Sequence, residues 1–137
     1  MISYFTEKVK MPGIRRREIS AWIKKVAEIH GFRMGDISYI FCSDEHILSI
    51  NKEYLQHDYY TDIITFDYTE EDCISGDIFI SLDTISSNAE KFGVSYEDEL
   101  HRVIIHGILH LCGINDKTPE ERQVMERHED EALKMRK

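Results

Sequence analysis

The sequence predicts a single α+β domain built from a small sheet of about four strands and about five helices. Three observations lead there. The 137 residues fit one domain, so 1–137 is read as a single unit. Hydrophobic residues make up 42%, enough for a real core. Runs with helical spacing alternate with short apolar stretches, and no linker, internal repeat or low-complexity segment divides them.

The elements follow in order. Ile19, Trp22, Ile23, Val26 and then Ile29 or His30 recur at helical spacing, and Gly31 closes the run. Ser38 to Cys42 reads as a short strand. Ser43, with Asp44 and Glu45 behind it, opens a second helix whose apolar stripe is read as Ile47, Leu48, Tyr54 and Leu55. Asn51 falls on that stripe, and a polar group there should bond inside, fixing the following loop in preference to contacting a substrate. Two strand-like runs come next, Asp62 to Asp67 and Gly76 to Ser81, separated by the acidic turn Glu70-Glu71-Asp72. Ser81 to Phe92 reads as a helix stopped by Gly93. Ser95 and Asp98 resemble a capping box that starts a fourth helix. Its residues Leu100, Val103, Ile104, Gly107, Ile108 and Leu111 share one broad arc, while Ile105 and Leu109 lie elsewhere. A helix apolar almost all round is expected to be central and buried. Thr118-Pro119-Glu120-Glu121 starts a last helix, running to about Met135.

The chemistry concentrates at His106-Gly-Ile-Leu-His110-Leu-Cys-Gly113-Ile-Asn-Asp116. His106 and His110 are one turn apart on the edge of the buried helix. Gly113 can end the helix with a positive-φ turn and bring Asp116 back toward them. Two imidazoles and a carboxylate suit a tetrahedral divalent ion, zinc first, and three protein ligands leave a fourth position open. A lone H-x-x-x-H is more often an ordinary helical pair. Here the glycine and the third ligand match the spacing of the metzincin arrangement H-E-x-x-H-x-x-G-x-x-H. Gly107 stands where those proteases carry their glutamate base. The cage therefore argues for hydrolysis, and the missing glutamate argues against peptide hydrolysis.

On these residues the chain resembles the YbeY family of bacterial rRNA maturation endoribonucleases. The core His106-Gly107-Ile108-Leu109-His110-Leu111-Cys112-Gly113 is similar to that family's HGxLHLxG motif. Asn51 to Tyr54 with Thr61-Asp62-Ile63-Ile64-Thr65-Phe66 resembles its LN…Y…TDVLSF block, and Gly76-Asp77-Ile78 its GDI triplet. The matches keep the family's order over roughly residues 48 to 116. Two positions depart: the family usually has histidine where this chain has Asp116, and arginine where it has Leu55. That arginine is associated with RNA handling.

The resemblance implies a mixed sheet with helices packed over it and the metal in a surface cleft. It implies a zinc-dependent, single-strand-specific endoribonuclease acting at the 3' end of 16S rRNA in ribosome biogenesis. Its partners would be RNA, ribosomal RNA above all, or the small ribosomal subunit. His106, His110 and Asp116 would then hold one Zn²⁺ per chain, which activates water and polarises a phosphoryl oxygen. With one aspartate the site keeps a formal charge of +1. No RNP-like motif or aromatic stacking signature stands beside it, and the residues name no general acid or base. Two alternatives from other classes stay open: a metallopeptidase-like hydrolase using the same cage, and a non-catalytic zinc-stabilised assembly factor.

Asp62 and Asp77, both in the matched blocks, are either caps and strand-end hydrogen bonders or groups that orient a ligand imidazole. His30, His46, His57 and His128 lack partners at ligand spacing and read as surface or structural; His101 lies on another helical face. Cys42, Cys73 and Cys112, an odd number without CxxC, read as reduced and mostly buried. Cys112 is not counted as a ligand. No apolar run approaches the roughly 18 residues that span a membrane, and the start has no signal-peptide pattern. A cytoplasmic location is expected.

The net charge of −9 opposes nucleic-acid binding in bulk, but it is unevenly spread. Residues 1–33 hold eight Lys/Arg and three Asp/Glu, and the remainder nine and 23. Lys8, Lys10, Arg15, Arg16, Arg17, Lys24 and Lys25 form either a basic patch or the solvated face of the first helix.

Overall fold

A computed structural model of the chain describes residues 1–55 and 61–136. Among them the order is β1 (Ile2–Thr6), α1 (Arg16–Ile29), β2 (Arg33–Cys42), α2 (Asp44–Tyr54), β3 (Ile63–Asp67), β4 (Cys73–Ser81), α3 (Leu82–Phe92), α4 (Tyr96–Leu111) and α5 (Pro119–Lys134). The expected four strands and five helices are therefore present. The sheet order is β1-β2-β4-β3. β1 and β4 both run parallel to β2, and β3 is antiparallel to β4, so the sheet is mixed. No helix is long and apolar enough to cross a membrane among the described residues.

Period-two burial explains how the sheet is covered. Ile37, Tyr39 and Phe41 of β2 and Ile74, Ile78 and Ile80 of β4 are buried on one face, in the cluster that includes residues of α1, α3, α4 and α5. On the other face, Ile47 and Ile50 of α2 pack with Cys42, Ile64, Phe66 and Phe79. Two hydrogen bonds pin the helical layer. The Tyr39 hydroxyl donates to the Ile104 carbonyl at 2.8 Å, joining β2 to α4, and the Trp22 indole donates to the Ala132 carbonyl at 2.8 Å, joining α1 to α5.

α4 occupies the centre, as its all-round apolar pattern predicts. Leu100, Val103, Ile104, Ile105, Gly107, Ile108, Leu109 and Leu111 are all buried. Ser95 caps it by accepting from the Asp98 amide, and α5 starts with both halves of the Thr118/Glu121 capping box.

Several sequence expectations need correction. The strand expected over 38–42 begins at Arg33. Its first half is disguised by Gly35 and Asp36, next to a register shift between Met34 and Ile37. A Cβ on Gly35 would sit 2.5 Å from the Ile74 carbonyl oxygen, so glycine there permits close strand approach. β1, short and half-exposed at the sheet edge, has no clear alternation. On α2 the buried residues are Ile47, Ile50 and Asn51, whereas Tyr54 and Leu55 are exposed. Asn51 is buried as expected. Of the alternatives Ile29 and His30 at the end of α1, Ile29 is exposed and His30 is half-buried.

Candidate metal centre

The C-terminal end of α4 builds the site. Cys112 ends the helix and Gly113 follows with φ +87°. The Gly113 amide bonds the His110 carbonyl at 3.0 Å, and the Ile114 amide bonds the Leu109 carbonyl at 3.1 Å. This is the Schellman pattern, and Ile114 completes it by packing on the core. The chain is thereby turned back beside the helix it has just left. Asp116 Oδ2 comes to rest 3.3 Å from His106 Nε2.

His106, His110 and Asp116 line one cleft of about 480 Å³, whose opposite wall is Thr61, Asp62, Ile63 and Thr65 from β3 and the residues before it. Sequence spacing had placed the three together, and the fold does so. Two donor atoms on a tetrahedral zinc, each at about 2.0–2.1 Å, stand roughly 3.3 Å apart, so the His106–Asp116 separation suits a shared ion. The three are not drawn into a closed cage: no group of three or more His, Cys, Asp or Glu is set close enough to hold a metal among the described residues.

Glu129 was not foreseen. It reaches across from α5, and its Oε2 lies 2.6 Å from His106 Nδ1. That contact occupies one ring nitrogen and leaves Nε2 facing the cleft. Burial lowers the His106 pKa, but the Glu129 hydrogen bond and the charges of Glu129, Asp116 and Asp62 outweigh it, and the net shift is upward. Burial raises the Asp62 carboxyl, opposed only in part by His106. Asp62 is a wall of the cleft whose backbone carbonyl accepts from the Ser81 amide at 3.0 Å, the strand-end bond of its plainer reading, and it is Glu129 that contacts the imidazole. Asp77 is remote from this chemistry: it accepts from the Tyr68 hydroxyl at 3.2 Å on the strand surface.

Gly107 explains why the protease glutamate is missing. A Cβ there would stand 3.0 Å from Ile78 Cδ1 and 3.2 Å from Ile63 Cδ1. The helix rests on the sheet at this residue, and a longer side chain would have to displace Ile78 of the core and Ile63 of the cleft wall.

The remaining candidates are structural. His101 is buried against Trp22, ring centroids 5.8 Å apart, with Arg136 Nη1 2.7 Å from its Nδ1. His30 meets His128 edge to face at 4.9 Å, and His46 lies 6.3 Å from Phe79. His57 lies outside the described residues, as does the stretch 56–60 of the matched block. Cys42, Cys73 and Cys112 are free thiols; Cys42 is buried and the other two half-buried. Burial pushes the Cys112 thiol up to about 11, and Cys112 is not among the residues lining the cleft. The seven basic residues from Lys8 to Lys25 are all exposed. None of them lines the cleft, which abuts β3, at the opposite sheet edge from β1.

Comparison with known proteins agrees with this architecture. Residues 2–137 match the family model described as Endoribonuclease YbeY. The chain belongs to the YbeY family. It is 67% identical over 135 residues to a protein named Endoribonuclease YbeY from Bacteroides thetaiotaomicron, covering 98% of each chain. It is 68% identical over 133 residues to the protein of that name from Phocaeicola vulgatus, covering 97% of this chain and 96% of the relative. The solution structure of TM1509 from Thermotoga maritima superposes with a TM-score of 0.66 at 26% identity, covering 98% of this chain and 90% of that one. Asp116, one of the two positions that depart from the family motif, lies in the cleft. Leu55, where the family usually has arginine, is 41% exposed at the end of α2.

Proposed function

We propose that this chain is a zinc-dependent endoribonuclease in which His106, His110 and Asp116 bind one Zn²⁺. The observation that carries the reading is the turned-back Asp116, 3.3 Å from the cleft-facing nitrogen of His106, in a member of a family named for endoribonuclease activity. The donor set, two imidazoles and one carboxylate, fits zinc with an open position. A zinc ion there supplies Lewis acidity toward a phosphoryl oxygen and hydroxide near neutral pH.

The protein's own residues do the rest. The Gly113 turn fixes where Asp116 stands. Glu129 holds the far side of His106. Thr61 and Thr65 offer hydroxyls on the facing wall, where a phosphodiester lying in the cleft would contact them. Asp62 adds a carboxyl to the same wall. The substrate we assign is RNA, single-stranded as the family resemblance implies, and the process is 16S rRNA 3'-end maturation on the small ribosomal subunit in the cytoplasm. The last three assignments rest on the family resemblance.

The peptidase reading loses ground at Gly107, which supplies no glutamate base and sits tightly against Ile63 and Ile78. A purely structural zinc is disfavoured because the core is closed without help from His106 or His110. The test is cleavage of a single-stranded RNA oligonucleotide by wild type and Asp116→Ala, with and without chelator. Zinc-restored cleavage that falls at least ~100-fold in the variant is expected, in line with loss of a metal site. Chelator-insensitive cleavage, equal in both proteins, would contradict it.

A further inference from the structure

The groups behind His106 form a layered arrangement that the metal reading does not require. Arg102 and His106 are four residues apart on α4 and share a face. Both reach the same glutamate on α5: Arg102 Nη1 donates to Glu129 Oε1 at 2.9 Å, and His106 Nδ1 meets Glu129 Oε2 at 2.6 Å. Arg102 is itself held by Asp130, Nη2 to Oδ1 at 2.6 Å. Glu129 is only 6% exposed, so its carboxylate depends on these partners.

Each oxygen of Glu129 therefore has one assigned partner. Neutralising Arg102 would need only Asp130 and one of those oxygens. The second oxygen is aimed at an imidazole, and the consequence is chemical. A carboxylate accepts from either nitrogen, and Glu129 at 2.6 Å is much closer than Asp116 at 3.3 Å, so in the neutral ring Nδ1 carries the hydrogen and the lone pair is left on Nε2. Nε2 is the nitrogen that faces Asp116 across the cleft. Without Glu129 the ring could place its hydrogen on Nε2, which would block metal binding there, or rotate away.

We propose that Glu129 is a positioning residue that holds His106 as the Nδ1–H tautomer with Nε2 aimed into the cleft, and that Arg102 in turn fixes Glu129. The effect on zinc affinity rests on the metal reading above; the effect on the tautomer does not. It also ties the site to the docking of α5, since the residue that orients the ligand belongs to a different helix.

The experiment uses wild type, Glu129→Gln, Glu129→Leu and Arg102→Met. The first readout is the His106 tautomer in metal-free protein, from long-range ¹H–¹⁵N NMR above the imidazole titration range. The second is zinc affinity by competition with a chelating dye. Wild type is expected to be Nδ1–H. Glu129→Gln, whose amide oxygen still accepts, should keep that tautomer and lose a few-fold in affinity. Glu129→Leu should shift toward Nε2–H and lose about 10–100-fold, and Arg102→Met should lose less. Should Glu129→Leu fail to fold, the near-isosteric Gln variant carries the test through its affinity. Wild-type tautomer and affinity in every folded variant would overturn the proposal while leaving the metal reading intact. A tautomer that shifts as described in a protein that takes no zinc would support the positioning role and sink the metal reading.

Discussion

His101 and His106 lie five residues apart on one helix, and their surroundings have opposite signs. Arg136 approaches His101 Nδ1 at 2.7 Å. Arginine only donates, so Nδ1 is an acceptor there and the ring hydrogen sits on Nε2. At His106 the partner is a carboxylate, and Nδ1 is the donor. Burial lowers the His101 pKa and the charge of Arg136 adds to it. Burial also presses on His106, but Glu129 and the neighbouring carboxylates reverse the direction. Residue type and burial alone would treat the two alike. What separates a packing histidine from a candidate ligand is which nitrogen its neighbour leaves free, and both neighbours arrive from the C-terminal segment rather than from α4.

The largest effect is expected at the residue beside His106 that faces the core. Gly107→Glu would complete the protease motif on paper. In the fold it would place a carboxylate against Ile63 and Ile78, at a cost of about 3 kcal/mol or more from overpacking and unpaired burial. Urea denaturation should show a protein at or past the edge of stability, with no peptidase activity gained. A stable variant that cleaves casein would break the account of α4.

The two histidines themselves should then separate cleanly. His106→Ala is expected to lose zinc binding by at least ~100-fold and RNA cleavage with it. His101→Ala should keep both, while losing about 1–2 kcal/mol of stability as its packing on Trp22 goes. Zinc loss in the His101 variant would erase the distinction drawn here.

Chelation should be gentler. Because the core does not depend on the cleft residues, removing metal is expected to lower Tm by a few degrees, the size of a ligand-linkage effect, with secondary structure by circular dichroism unchanged. Complete unfolding in chelator would return the site to a structural role.

The smallest effects concern pH, in metal-free protein. The raised His106 pKa means that the folded state holds a proton more tightly than the unfolded one. Its contribution is fully present below the unfolded value, about 6.5, and is lost as pH rises through the folded value. His101 has the opposite sign: its lowered pKa makes stability fall as pH drops below about 6.5. Stability curves of His106→Gln and His101→Gln against wild type should therefore flatten on opposite sides of that pH. Flattening on the same side would contradict the assigned partners.

How much of this was legible in the sequence follows from what is local. The His106/His110/Asp116 set was readable because helix periodicity and one glycine turn bring it together within eleven residues, and α4 and α5 were readable from composition and caps. Glu129 and Arg102 were not, because their meeting depends on how α5 docks, which no spacing within α4 encodes. A signal did exist. Met125, Glu129 and Ala132 are the buried residues of α5 at i, i+4 and i+7, so a glutamate stands on an otherwise apolar stripe, and such a residue needs a partner. β1 and the start of β2 were hidden for a different reason. An edge strand and a strand interrupted at Gly35 lack the alternation that makes burial visible in sequence. The α2 stripe was misplaced because Tyr54 and Leu55 keep helical spacing at the point where the helix ends, and both are exposed there.

The central claim is that the end of α4 binds zinc through His106, His110 and Asp116. The most direct measurement is zinc content by elemental mass spectrometry, on untagged wild type and His110→Ala prepared side by side. The account predicts about one zinc per chain in wild type, by the stoichiometry of a single three-ligand site, and loss of it in the variant. Equal metal in both proteins, or none in wild type, would contradict it.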